Sequence, residues 1–428
     1  MCALCDCYSG ADQPLEEPLR SFNRFVTRIS IVIPTKNAGP EFETTLARLR
    51  SQESDAETEL VIIDSGSTDS TVPLAERLGA NVLHVQPSSF NHGETRNRAI
   101  QEASGEIIVL TVQDAVAADT QWLRRLTEWF SSDAQVAGSF GIQVARPDAD
   151  LLATWEVETH NKIFNKGTRV KSLSSWDDFL RRDFMGRFDL ALFDNVSSAI
   201  RKSVWQQIPF RPAEFAEDME WALEVMRAGY RIVHEPKAAV IHSHTRPALY
   251  RLKRHFVTTK RVMQVLESEA EDYSRYTDVT LFNDMLAFAI QVEELIQRAQ
   301  DSSPGMTVEV PPLEFRPLNA VTPAIDKEGP GIAAVLKKLF GRLTSGRVVV
   351  PPGVPASEDP LRGSFNFTMK ELLRRYPSLK QEELQFLFLN VAARAAGDVL
   401  SKYYYWCNKN QKLSESMRML GASLSQGI

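Results

Sequence analysis

No apolar run in the sequence approaches the roughly 18 residues that a membrane-spanning helix needs. That argues against a helical channel or transporter. Cysteine is scarce, limited to Cys2, Cys5, Cys7 and Cys407. Three of these crowd the N-terminus, and no second cluster supplies the spacing of a zinc module. A disulfide scaffold is therefore not expected, and residues 1–27 read as a flexible leader. Basic charge is not in excess: 49 Lys and Arg stand against 55 Asp and Glu, giving a net charge of -6. This balance argues against nucleic acid as a partner. The opening MCALCDCYSG has neither a basic start nor an apolar core, so it is not read as a secretory signal. The expected location is the cytoplasm, with a peripheral seat on the inner face of the membrane left open.

What the chain does have is the composition of an ordinary globular protein, 43% hydrophobic and 24% charged over 428 residues. That length suits more than one domain. From Arg28 onward, short apolar runs alternate with helical patterns. Strands are predicted at 29–33, 60–64, 81–85 and 106–112, and helices at 40–52, 71–78, 93–103 and 119–131. Strand-helix alternation with short connections implies an α/β fold with a mainly parallel sheet. After Gly141 the pattern loosens, and residues 145–195 read as a substrate-facing excursion. A helix is expected at 217–228, followed by strands RIVHEP and AVIHSH and then by long helices over 250–300. Residues 301–330 and 345–360 read as linkers, and 368–405 as helical. There is no internal repeat.

The two opening strands carry the clearest functional signal. RISIVIPTKN (28–37) and LVIIDSGSTD (60–69) each end abruptly in small or polar residues. Loops of that kind meet ligands at the carboxyl ends of parallel strands. Three further groups follow in order. Gly93-Glu94-Thr95-Arg96-Asn97 opens a helix, and Gln113-Asp114 closes an apolar strand. Glu217-Asp218 starts a helix and is followed by His242 and His244, which share one strand face. Singly, each has a plain structural reading: a strand-end Asp is often a turn residue, and acids in a first helical turn favour the helix dipole.

In series, the segments IPTKNAG, IDSGSTDST, FNHGETRNRA, QDA, AEDMEWALEVMRAGYRI and HSH resemble the inverting glycosyltransferases of family 2. The local wording is similar to their bacterial rhamnosyltransferase-like members. The resemblance covers roughly residues 28–260. It implies a GT-A fold, a Rossmann-like and mainly parallel sheet that binds nucleotide-diphospho-sugars. Residues 261–428 would be a mainly helical C-terminal region.

The resemblance further implies a nucleotide-sugar seat from Pro34, Thr35, Asn37, Asp64, Ser65, Asp69 and Gln113. Arg96 would contact the diphosphate, and Asn195 would lie near the donor sugar. Asp114, with His242 or His244, would hold a divalent metal, Mg or Mn, on the diphosphate. Asp218, paired with Glu217, would be the general base that activates an acceptor hydroxyl on a glycan or lipid-linked glycan. The implied donor is dTDP-L-rhamnose, with a UDP-sugar as the alternative. Two departures stand out: Val112-Gln113-Asp114 replaces the usual Asp-x-Asp, and Lys36 stands where many relatives carry an aromatic. A nucleotidyltransferase and a non-catalytic nucleotide-sugar-binding scaffold remain as rival readings. Outside the resemblance, 331–347 is short, basic and amphipathic, as a membrane-surface helix can be. The run Tyr403–Trp406 reads as a buried helix face or an oligomer contact.

Overall fold

A computed structural model describes residues 28–300, 313, 315 and 359–426. The N-terminal cysteines, the 331–347 segment and most of both predicted linkers lie outside the described residues. Nine strands form one sheet: β1 (Arg28–Thr35), β2 (Glu57–Asp64), β3 (Asn81–His84), β4 (Ile107–Thr111), β5 (Val116–Ala117), β6 (Val136–Val144), β7 (Arg169–Lys171), β8 (Ser197–Arg201) and β9 (Arg231–Ile241). Their order is β3-β2-β1-β4-β8-β6-β9-β5, with β7 also on β9. The first four run parallel, β8 is antiparallel to both β4 and β6, and β6 and β9 are parallel.

The alternation in β1 explains the layering, because successive side chains point to opposite faces. Ile29, Ile31 and Ile33 pack with Phe42, Leu46, Trp122 and Leu126 on one face. Val32 packs with Val61, Ile63, Ile100 and Trp221 on the other. A third core gathers Leu152, Trp155, Leu252 and Phe256 with the C-terminal helices. Those helices span Asp278–Gln300, Pro360–Arg375, Gln381–Lys409 and Glu415–Ser425. Tyr403 and Trp406 are buried there and Tyr404 packs half-buried against them, so the aromatic run packs into the helical core. The helix Ala248–Val265 serves two cores: Leu252 and Phe256 join the helical one, Val262 and Val265 the sheet. A boundary at 260 falls inside this helix.

Several elements differ from expectation. The helix expected at 119–131 is split into Trp122–Thr127 and Trp129–Ser132, and the expected helix 368–405 belongs to two helices. Pro377 separates those two, as a residue without an N–H does. The expected strand pair RIVHEP and AVIHSH is one irregular strand, β9, which ends at Ile241, so His242 and His244 lie just past it and not on a shared strand face. Its register with β6 jumps between Phe140↔His234 and Ile142↔Ala239. Gly141 sits at that jump, where a Cβ would lie 1.6 Å from the Ala238 carbonyl oxygen. Gly141→Ala is therefore expected to cost roughly 1–3 kcal/mol, or more where backbone must move. A lowered urea midpoint would register it. The irregularity matters because it sets where β9 delivers His242 and His244.

Candidate active site

Parallel register brings the ends of β1 and β2 side by side, with Thr35 opposite Asp64. Asp64 is buried, and its carboxylate accepts from Gly66 N (2.9 Å), Ser67 N (2.8 Å), Ser67 Oγ (2.5 Å) and Thr35 Oγ1 (3.1 Å). Burial opposes its ionisation, but these hydrogen bonds, led by Ser67, outweigh it and hold the carboxyl below its ordinary value. With about four acceptor sites on a carboxylate, Asp64 is filled by its own loop and by Thr35 of β1. A ligand N–H there would have to take the place of a hydroxyl.

The neighbouring residues brace one another in the same way. Ser65 donates to the Thr35 carbonyl through N (2.9 Å) and Oγ (3.0 Å). Asn37, at φ 45°, accepts from Thr68 N (2.8 Å) and donates its own N–H to Ser67 Oγ (2.8 Å). Asp69 accepts from Gly39 N (3.0 Å) and from Thr71 N and Oγ1 (3.0 and 2.6 Å). Gln113 brackets Lys36, accepting from its N–H (2.8 Å) and donating to its carbonyl (3.3 Å). The side chains thus fix the shape of a paired loop that begins at Pro34.

Beside that loop, Asp114, His242 and His244 converge, each offering one ligand atom within 4.8 Å of the others. Asp114 Oδ1 is 3.5 Å from His242 Nε2, and Oδ2 is 3.5 Å from His244 Nδ1. These separations are long for hydrogen bonds. Two ligands about 2.1 Å from one ion stand about 3–3.5 Å apart, so the donor set fits a divalent metal.

The ionisation states suit it as well. Burial opposes the Asp114 charge, yet His242 and His244 hold its pKa down at about 2. Burial, helped by His242, lowers His244 to about 4, so it is neutral at neutral pH. Metal ligands need those forms. Gln143 Nε2 donates to Asp194 Oδ2 (2.5 Å), which leaves its Oε1 to accept from His242 Nδ1 (2.7 Å). With its proton on Nδ1 for that contact, His242 would have Nε2 free to bind an ion beside Asp114. Arg246 donates to His244 Nδ1 (3.2 Å), a contact that an ion would displace.

The acidic pair opens the helix Glu217–Arg227 behind Ala216, which is buried and left-handed at φ 57°. That conformation costs an L-residue about 1–3 kcal/mol. It turns the two carboxyls into different surroundings. Glu217 is 4% exposed and pairs with Arg96 Nη1 at 2.8 Å, while Asn195 Nδ2 donates to it at 3.2 Å. Burial opposes its charge, but Arg96 and His92 keep its pKa low. Asp218 is only partly buried and accepts from Met219 N (2.8 Å) and Asn195 N (3.2 Å). Burial, then the charges of Glu217 and Asp194, push its pKa up to about 8. The two adjacent carboxyls are thus pushed in opposite directions.

The side chain of Arg96, expected at the diphosphate, is 5% exposed and bonded to Glu217 and to the His92 carbonyl (3.1 Å). Asn195 likewise positions the acidic pair. Gln143 was not anticipated. It lies just beyond the point where the strand pattern fails at Gly141, and no motif marks it.

A profile described as "Glycosyl transferase family 2" matches residues 30–192. The chain is 32% identical over 236 residues to the O-antigen chain rhamnosyltransferase RfbN of Salmonella typhimurium, covering 54% of this chain and 71% of that one. It is 32% identical over 232 residues to the O-antigen chain rhamnosyltransferase WbaN of Salmonella anatum, covering 54% and 70%. Among solved structures, it is similar to a mannosyltransferase from Pyrobaculum calidifontis in complex with GDP-mannose and Mn2+. That match has 16% identity, a TM-score of 0.45, and coverage of 90% and 91%.

Proposed function

The chain belongs to glycosyltransferase family 2, and from that premise we propose that it transfers L-rhamnose from dTDP-rhamnose to a hydroxyl of a growing cell-surface glycan, free or lipid-linked, with inversion. One observation carries the reading. The carboxyl raised to about 8 and the Asp114–His242–His244 cluster are linked through consecutive polar contacts. His242 meets Gln143, Gln143 meets Asp194, and the next residue, Asn195, holds Asp218. A proton acceptor and a divalent-cation site joined in this way suit displacement at an anomeric carbon.

In this reading Asp218 takes the proton of the acceptor hydroxyl as that oxygen bonds to the anomeric carbon. The bond to the diphosphate breaks on the opposite face, which inverts the centre. Glu217, held by Arg96 and Asn195, stays ionised and keeps the Asp218 carboxylate basic. Asp114, His242 and His244 would hold the divalent ion, whose charge offsets that on the departing diphosphate. Two imidazoles among the ligands favour Mn over the oxygen-preferring Mg. The paired loops from Pro34 and Asp64 would seat the base and ribose. O-antigen synthesis by the relatives supports a polysaccharide acceptor.

A thermal-shift screen of nucleotides tests the reading, since a ligand that binds only the native state raises its melting temperature. dTDP with Mn is expected to stabilise the protein more than UDP or GDP. A larger shift with UDP would keep the glycosyltransferase and reject dTDP-rhamnose. No shift with any nucleotide would leave a non-catalytic scaffold.

A further inference from the structure

With Arg96 committed to Glu217, the cations around the site can be compared by what already holds them. Arg246 contacts His244 and lies over the Tyr250 ring. Arg251 pairs with Asp150 and Glu156, Lys260 with Glu214, and Arg261 with Glu220. Arg254 differs. It projects from the same helix, Ala248–Val265, and its guanidinium stacks on the Phe215 ring, 4.0 Å from the centroid. Among the described residues it makes no hydrogen bond and no ion pair. Phe215 immediately precedes the left-handed Ala216, so the stack holds this cation beside the start of the catalytic helix.

The surroundings define what this cation faces. Tyr250, Asp218, Glu217 and Asp194 exert the largest charge effects on Arg254, and its own charge is felt at His92 and at His244. Its charge is thus coupled to the acidic pair and to His244, while its printed contact is the Phe215 ring. A planar fork of donors, stacked on an aromatic face and lacking an acceptor, is preorganised for a phosphate. Stacking also restricts the side chain before the ligand arrives.

We propose that Arg254 binds the β-phosphate of the donor's nucleoside diphosphate and stays on it as the sugar leaves. The inference rests on the glycosyltransferase reading above. As the bond from the anomeric carbon to the β-phosphate oxygen breaks, its electron pair goes to that oxygen, and the diphosphate gains one negative charge. The acceptor proton goes to Asp218. The fixed guanidinium meets the growing charge from the protein side.

The test is calorimetric titration of full-length wild type, Arg254→Lys and Arg254→Ala with dTDP and with dTMP, each with Mn, and with UDP and GDP in parallel. Loss of charge-assisted hydrogen bonds should weaken dTDP binding about 10–100-fold in Arg254→Ala. Arg254→Lys should recover part of that loss, because it keeps the charge but not the fork. dTMP has no β-phosphate, and its affinity should move less than about twofold, which also shows that the variant is folded. Equal dTDP affinity in wild type and Arg254→Ala would overturn the proposal and leave the glycosyltransferase reading standing. Unchanged dTDP affinity with a raised acceptor KM would overturn it in favour of an acceptor contact. If wild type bound none of the three diphosphates, the nucleotide-sugar reading and the proposal would fall together.

Discussion

An Asp218→Asn enzyme is expected to bind the nucleotide sugar as wild type does and to transfer sugar about 10²–10⁴-fold more slowly, the usual contribution of a positioned base. The amide keeps the size of the side chain and can still accept from Met219 N, so the helix start is preserved. What is lost is the proton acceptor. Single-turnover transfer and donor binding, measured on the same preparation, separate the two effects. Undiminished transfer would remove Asp218 from the chemistry. Glu217→Gln should behave differently, because it leaves the Arg96 guanidinium buried and without its charge partner. Breaking a buried pair from one side costs about 3–5 kcal/mol, so that variant should show lost stability before lost chemistry.

The same carboxyl makes two pH predictions of definite sign. A base must be ionised, so kcat/KM should rise with pH through the neighbourhood of 8, where Asp218 titrates in the free enzyme. Stability should move the other way. The folded-state pKa of about 8 lies above the ordinary 3.8. Between those values the native protein holds a proton that the unfolded chain has released. The stabilisation is complete below the lower value and is lost as pH rises through the upper one. Asp218→Asn carries no such term, so its stability relative to wild type should grow across that window and level off above it. Urea midpoints at about pH 6 and about pH 9 would show it. Equal midpoint differences at both would mean that the carboxyl titrates normally.

How much of this was legible beforehand depended on whether a feature was local. The loops after β1 and β2 announce themselves because a buried strand must be apolar and a ligand-facing turn must be small and polar. Asp114 and Asp218 could be picked out because each sits at the boundary of an element. The contacts within the paired loop were harder to read. Asp64, Asp69 and Asn37 look like ligand contacts in the sequence, yet each is engaged by the partner loop or its own. The Arg96 ion pair was hidden for the same reason: its partner, Glu217, lies 121 positions away. The jump at Gly141 depends on how β9 buckles after Glu235, and strand periodicity carries no trace of that. Arg254 is one basic residue among several on an amphipathic helix. Only the partners that its basic neighbours already have set it apart.

Removing Asp114 should be the most damaging single change at the metal cluster. Asp114→Ala deletes the carboxylate of the set and leaves two imidazoles. If the ion supplies several kcal/mol of charge stabilisation, the loss corresponds to about 10²–10³-fold or more in rate. Mn titration should show weakened binding in parallel. The absent first carboxylate of the usual Asp-x-Asp makes this dependence sharper, because Val112 offers no substitute and the histidines must complete the set. Their competence in turn would rest on Gln143, whose Oε1 meets His242 Nδ1 at 2.7 Å and would hold the proton there. Gln143→Leu touches no substrate and no ion, yet it frees the imidazole to rotate and to hold its proton on the other nitrogen. It should lower Mn affinity about 10–100-fold, as loss of an outer partner of a ligand does, while saturating Mn restores transfer. Asp114→Ala should show little such rescue. Wild-type Mn affinity in Gln143→Leu would mean that His242 is oriented by something other than that amide.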